Sequence, residues 1–170
     1  VKNKKGIDRY YNSVETPGYA HSYLLTSVVS DDYSDIDDVD GPTDGDLGSY
    51  TRFEYQHVSD YKWRVPFQSN TASYNEGLKA DFDDEKGNYT YGEKELFYLD
   101  TIITKNFIAI FHKSNRLDGF GVTGEDGGID QSIPQQKLDS ITLFSKPDFK
   151  KRNMNATPLK VVHLEYDYSL

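Results

Sequence analysis

The chain has 170 residues, a formal net charge of −9 and a sequence pI near 4.8. That is enough for one domain with a hydrophobic core, and too acidic for nucleic acid or an anionic membrane surface, whose charges would repel it. Cysteine is absent, which excludes disulfides, zinc–thiolate centres and thiol nucleophiles. No apolar run approaches the roughly 20 residues of a membrane span. Fourteen Tyr and nine Phe against five Ala and one Met favour strand over helix, because aromatic side chains suit a pleated, half-buried surface.

Residues 1–18 are polar and end on a Pro17-Gly18 turn signal. The opening VKNKKGIDRYYN is basic with no apolar stretch behind it, so it is not a signal peptide. Tyr19–Ser30 (YAHSYLLTSVVS) predicts a first strand. Between Asp31 and Asp46 the chain then places eight aspartates and no Lys or Arg, as DDYSDIDDVDGPTDGD. These carboxylates repel one another unless water, basic side chains or a cation intervenes.

Tyr50–Val58 predicts a strand, and Tyr61–Phe67 (YKWRVPF) a short second one with Pro66 near its end, an edge-like position. Residues 68–93 read as loop, although Tyr74, Leu78 and Phe82 recur at the helical spacing of four and Gly77 weakens a helix there. The strongest elements are Lys94–Thr104 and Phe107–Lys113, two apolar, β-branched and aromatic runs flanking Lys105-Asn106, which predict a central hairpin. A Gly- and Asp-rich loop covers 114–136. Leu138–Ser145 and Leu159–Tyr168 close the pattern as strands, joined by a basic polar linker, KPDFKKRNMNATP. No repeat of fixed period occurs. The expectation is a single all-β domain over residues 1–170, an antiparallel β-sandwich or open twisted sheet with long Asp/Gly-rich loops. The last residues stop inside a strand pattern, so the chain reads as a segment of a longer one.

Among candidate sites, Asp37, Asp38, Asp40, Asp44 and Asp46 have the alternating carboxylates and turn glycine of calcium loops, so Ca²⁺ is the cofactor the pattern admits. The EF-hand register fails: with Gly41 sixth, the first ligand would be Ile36 and the twelfth Leu47. The competing reading is a solvated acidic turn whose Asp side chains bond their own backbone. Trp63, Tyr50, Tyr55, Tyr89 and Tyr91 could stack a glycan, against ordinary cross-strand aromatic packing. Gly119-Phe-Gly121-Val-Thr-Gly124 matches GxGxxG by letter, but Glu125-Asp126-Gly127-Gly128 cannot open a helix after it. His163 and Glu165 share a strand face with no third member in sight, and His21, His57 and His112 each stand alone in strand patterns. Glu54, Glu93, Glu95, Glu165 and Asp167 are strand-borne acids from which a glycosidase pair could be drawn, but their abundance makes any chosen pair uninformative. Asn88 and Asn155 open glycosylation sequons, meaningful only in a eukaryotic secretory setting. No nucleophile–base motif occurs.

Several phrases, DGPTDGDLGSYTRFEY (40–55), YKWRVPF (61–67), YGEKELFYLDTI (91–102), RLDGFGVTGEDGG (116–128), KLDSITLFSK (137–146) and PLKVVHLEYDYSL (158–170), resemble an uncharacterised β-rich segment of very large exported proteins of Gram-negative bacteria. LDSITLFS, a linker and VVHLEYDY are more weakly similar to the strand–turn–strand units of Rhs and toxin-complex shell proteins. No Rhs-type repeat recurs, the acidic loop has no counterpart there, and no functional residue carries over. The resemblance implies a structural or interaction module of an exported or cell-surface protein, with neighbouring segments of the parent chain as partners. The alternative is a calcium-dependent carbohydrate-binding module. A glycoside hydrolase ranks third.

Overall fold

The computed structural model describes residues 14–73 and 87–169. The helical spacing at Tyr74, Leu78 and Phe82 lies outside them. In chain order the strands are β1 (Ser27–Val29), β2 (Tyr50–Val65), β3 (Thr90–Thr104), β4 (Phe107–Asn115), β5 (Gly121–Val122), β6 (Ile129–Asp130) and β7 (Gln136–Ser145). Helix α1 (Lys146–Arg152), a 3₁₀ turn at Asn153–Asn155 and strand β8 (Lys160–His163) follow. Six strands form one open antiparallel sheet in the order β1-β2-β3-β4-β7-β8, and β5 pairs with β6 as a separate ribbon.

The hairpin at Lys105-Asn106 lies at the centre of the sheet, with Ile103 opposite Ile108. Its continuous apolar runs fit strands that have neighbours on both edges. Elsewhere the expected boundaries shift. Tyr50–Val58 and Tyr61–Phe67 are one strand, ending at Val65. Ser59 and Asp60, which read as a break, are a bulge: the register slips between Val58 and Tyr61, and Asp60 takes a positive φ of 58°. The expected strand Tyr19–Ser30 contracts to Ser27–Val29, and Leu159–Tyr168 contracts to Lys160–His163. Both are edge strands, and their outer residues lack a neighbour on one side.

The basic linker is not irregular. Pro147 lies in the first turn of α1, where a missing N–H costs no helical bond, Asp148 sits in the same turn, and Lys150, Lys151 and Arg152 sit in the last. That charge order complements the helix dipole. Its one aromatic, Phe149, meets Phe144 of β7 with ring centroids 5.3 Å apart.

The two faces of the sheet differ. Cross-strand pairing puts Arg52, Ile103, Ile108 and Phe144 in one row on the face beneath α1. Tyr50, two residues before Arg52, shares that face and is buried, as are Ile108 and Phe144. At the far end of β2, Tyr61 is buried as well; its hydroxyl donates to the carbonyl of Phe120 (3.0 Å), just ahead of β5. The opposite face carries the rows Phe53–Ile102–Ala109–Leu143 and Phe111–Ile141–Val162. No described helix or strand packs over those rows, and their residues are half-buried or exposed.

Ile108 is 7 % exposed, so Ile108→Ala should destabilise the fold by about 3 kcal/mol in urea denaturation, within the range for buried Ile-to-Ala changes. Ile110, two residues on, is only half-buried, and Ile110→Ala should lose clearly less. Equal losses would mean that the side chains on this face are covered alike.

Candidate functional site

The acidic loop joins β1 to β2, and its stem is closed by backbone pairing. Ser30 N–H donates to Ser49 O (2.9 Å), and Ser34 and Leu47 exchange bonds of 3.2 and 3.0 Å. Gly48 makes the stem possible. It sits at φ +77°, and a Cβ there would lie 2.6 Å from Asp32 O and Tyr33 Cα, inside contact distance.

Within the loop the aspartates have separate roles. Asp46 is 1 % exposed. Its carboxylate accepts from Thr43 N–H (2.8 Å), Ile36 N–H (3.2 Å) and the Tyr33 hydroxyl (2.9 Å). The Thr43 N–H bond does most to hold the Asp46 carboxyl below its ordinary range; burial opposes it, and the Ile36 and Tyr33 bonds add to it. Burial, and then the bond to Asp46, push the Tyr33 hydroxyl up to about 12. Asp37 accepts from Val39 N–H (3.1 Å) and the Thr43 hydroxyl, and Asp35 accepts from Asp37 N–H (3.3 Å). These are Asx-type turns that brace the loop on its own backbone. Asp38, at φ +56°, and Asp40 are exposed.

Of the five aspartates expected as ligands, Asp37 and Asp46 come together, and Asp35 joins them: one carboxylate oxygen from each lies within 4.8 Å of the others. Asp35 was missed although it continues the same alternation, Asp35-x-Asp37. Asp38, Asp40 and Asp44 are not in the group.

Asp44 turns the other way. Its carboxylate accepts from Lys146 and Lys150 of α1 and from the Tyr50 hydroxyl (2.6 Å). The buried Lys146 ammonium also donates to Tyr50 Oη (2.9 Å) and to the Thr104 carbonyl (2.8 Å). Burial alone would raise the Asp44 carboxyl, but the bonds from Lys146, Lys150 and Tyr50 outweigh it and hold the group far below its ordinary range. Burial, and then Asp44, push the Tyr50 hydroxyl up to about 12. Lys105, at the β3–β4 turn, donates to the Asp46 carbonyl (2.6 Å). Part of the repulsion the sequence implies is thus answered by lysines brought from the hairpin turn and α1. No local signal marked Lys146 or Lys105 for this.

The five aromatics proposed as a glycan platform do not assemble into one. Tyr50 belongs to the α1 junction. Tyr55 donates to Leu25 O (2.9 Å) at the sheet edge. Trp63 lies against Gly92, its cross-strand partner. On the other face of that strand pair, Arg64 lies over the Tyr89 ring, 4.3 Å from its centroid, and Tyr91 donates to Glu93 (2.6 Å).

The other motifs are equally dispersed. His57 pairs with Glu95 and stacks on Phe97 at 4.6 Å, on an exposed surface. His112 meets Thr142 Oγ1 at 3.1 Å, and His163 and Glu165 are exposed. Glu54 pairs with Arg52 (2.8 Å), and Asp167 accepts from Ser169 N–H (2.9 Å). In the GxGxxG segment Gly121 is part of β5, and the chain turns back through a Gly127 N–H to Gly124 O bond (3.0 Å) with no helix following. No protein-family model, curated protein or solved structure matches the chain.

Asp44 and Asp46 both ionise more readily folded than unfolded. Their contribution is therefore present above the unfolded value near 3.8 and lost as pH falls below it. The melting temperature should fall from about pH 4 downward, and Asp44→Asn should flatten that fall while lowering stability at neutral pH. An acid limb unchanged by Asp44→Asn would show that the junction does not depend on the charge of Asp44.

Proposed function

We propose that this chain is a structural, interaction module of a larger exported or cell-surface protein, and that a neighbouring β-rich segment completes its open sheet. The observation that supports this is the uncovered face, with its rows Phe53–Ile102–Ala109–Leu143 and Phe111–Ile141–Val162. Val28, on the same face in β1, is 52 % exposed, and Val162 is 42 % exposed. A single antiparallel sheet ordinarily gains its stability by burying one face against another layer. Among the described residues, α1 and the β5–β6 ribbon supply that layer on one side only. Contiguous apolar surface of this kind marks an interaction site more often than an idle one. The edges point the same way. Tyr23, Leu24 and Leu25 beside β1, and Val161 and Leu164 at β8, are exposed, and no described strand pairs with the outer side of either edge strand.

A second reading keeps the acidic loop as a Ca²⁺ site, favoured by the convergence of Asp35, Asp37 and Asp46. Against it, all three carboxylates already brace the loop.

The docking reading predicts that the purified chain binds an apolar dye such as ANS or self-associates as concentration rises. Val28→Lys with Val162→Lys should suppress both and leave the melting temperature nearly unchanged, because exposed positions tolerate substitution. A monomer at all concentrations that binds no dye would reject it. Under the calcium reading, melting temperature rises with added Ca²⁺, returns with EDTA, and stops responding in Asp35→Asn; indifference to both reagents rejects that reading alone.

A further inference from the structure

The sheet is forked. Strand β3 has 15 residues, but only Thr101, Ile102 and Ile103 pair with β4. Beyond Ile110, β4 continues against β7 alone, while β3 continues from Leu99 toward Thr90 against β2 alone. Over residues 90–99 no described strand pairs with the edge of β3 that faces β4. We propose that this inner edge takes up an extended segment of another polypeptide, with a basic side chain opposite Glu95 and an apolar one between Phe97 and Phe111.

The backbone is the first ground. Leu99 O, just past the last β3–β4 pair, accepts from the Lys113 ammonium (3.0 Å), which also holds Asp100 (2.7 Å). A side chain of β4 thus stands where a backbone N–H would stand if the ladder continued. Backbone groups along a strand alternate in direction, so those of Phe97 and Glu95 face the fork as Leu99 O does. An edge of this kind is a template for a further strand, whose main chain supplies the affinity.

The side chains along the edge fix what such a strand carries. Phe97 stacks on His57, with ring centroids 4.6 Å apart, and Glu95 bonds the same imidazole through Oε2. Phe97 is still 48 % exposed, and Phe111 of β4, on the same face across the fork, is half-buried. An apolar side chain on the incoming strand covers both rings. The Glu95 carboxylate is half-exposed, and Glu93, two residues on along the same face, is exposed. A Lys or Arg opposite them makes the opposite-charge pair that antiparallel strands favour.

The same charges argue against a second copy of this chain. Antiparallel pairing of two β3 edges about Lys94 sets Lys94 opposite itself and Glu93 opposite Glu95; pairing about Glu93 or Glu95 sets a glutamate opposite itself. Like charges directly opposite are destabilising, and each copy carries a net charge of −9. Charges on a sheet edge guard it against such pairing. A basic strand passes that guard. The site borders the apolar rows of the open face but does not require a second layer over them.

The test is amide hydrogen exchange of the full chain, read residue by residue by ¹H–¹⁵N NMR, with three synthetic peptides of about nine residues. The first alternates Val and Lys on one face with Thr on the other; the second replaces Lys by Glu. The third is the first with the Val and Lys backbone nitrogens methylated, which removes the donors that would face β3. In the free chain the Phe97 and Glu95 amides should exchange rapidly, and the Lys peptide at saturation should slow them about tenfold or more. The methylated peptide should leave them unchanged, and the Glu peptide should bind about tenfold more weakly, because a repulsive pair replaces an attractive one. Glu95→Lys should reverse the order of the Lys and Glu peptides with the melting temperature nearly unchanged, since the position is exposed. The chain carrying Val28→Lys and Val162→Lys should bind the Lys peptide as the parent does, whatever becomes of its dye binding; loss of peptide binding there would move the effect to the open face and overturn the fork. Amides already protected in the free chain, exchange unaltered by the Lys peptide, or an equal response to the methylated peptide would overturn strand addition. Equal affinity for the Lys and Glu peptides, or an order that survives Glu95→Lys, would overturn the basic assignment.

Discussion

The Lys146 ammonium is the point at which four separate pieces of chain are tied. It leaves the end of β7 and reaches Asp44 of the acidic loop, Tyr50 at the start of β2 and Thr104 O at the end of β3. Its own backbone N–H donates to Asn106 O in the β3–β4 turn (2.8 Å). A buried ammonium is tolerable only when its donors are met, and here three acceptors take all three. Asp44 remains partly open to water, so its attraction to Lys146 is screened and counts for less than a fully buried pair. The tie also fixes position, because the three acceptors come from three different segments and α1 must sit where Lys146 reaches them all. Where α1 lies, the covered face follows.

That tie acts on one side of the sheet. It brings the acidic loop and the helix over Ile103, Ile108 and Phe144, while the β5–β6 ribbon and its approach close the same side at Tyr61. The opposite rows have nothing equivalent among the described residues. Among those residues the buried apolar set is six, Tyr50, Tyr61, Ile108, Val122, Phe144 and Ala156, against 23 large apolar side chains that are exposed. Scattered apolar exposure is ordinary on a protein surface. Apolar rows, half-buried or exposed, that run unbroken across four strands and across three are not.

The central hairpin was legible because its signal is local: two long apolar runs and a polar dipeptide between them already specify antiparallel pairing. The all-β class was legible from aromatic content for the same reason. Helix α1 was not. At seven residues it is too short to show a hydrophobic period, and its stabilisation comes from Phe144 and Asp44, both distant in sequence. The bulge at Ser59-Asp60 read as a break because those residues suit turns, and only the opposing β3 ladder shows that pairing continues past them. The candidate site was legible in part. The alternation of aspartates marked the loop, but which of them face inward depends on backbone curl, so Asp35 was passed over and Asp44 grouped with carboxylates it turns away from.

Charge is distributed unevenly between the two faces, and this constrains how a partner can dock. The acidic loop and the basic helix both belong to the covered side, where each offsets part of the other. In the two central rows of the open side Lys160, at the end of the Phe53–Ile102–Ala109–Leu143 row, is the only charged residue. Charged groups across an interface mainly set approach and select partners. The His57–Glu95 and Lys113–Asp100 pairs lie beside the rows on that face, but the rows themselves cannot select by charge, so within them selection falls to shape and to the edges. The edges are equipped for it: β1 and β8 are only three and four residues long, too short to template indiscriminate strand addition. A partner that adds a strand there must already be aligned by the apolar rows beside it. Open face and short edges therefore act together, the first supplying the drive to associate and the second fixing the register in which association is allowed.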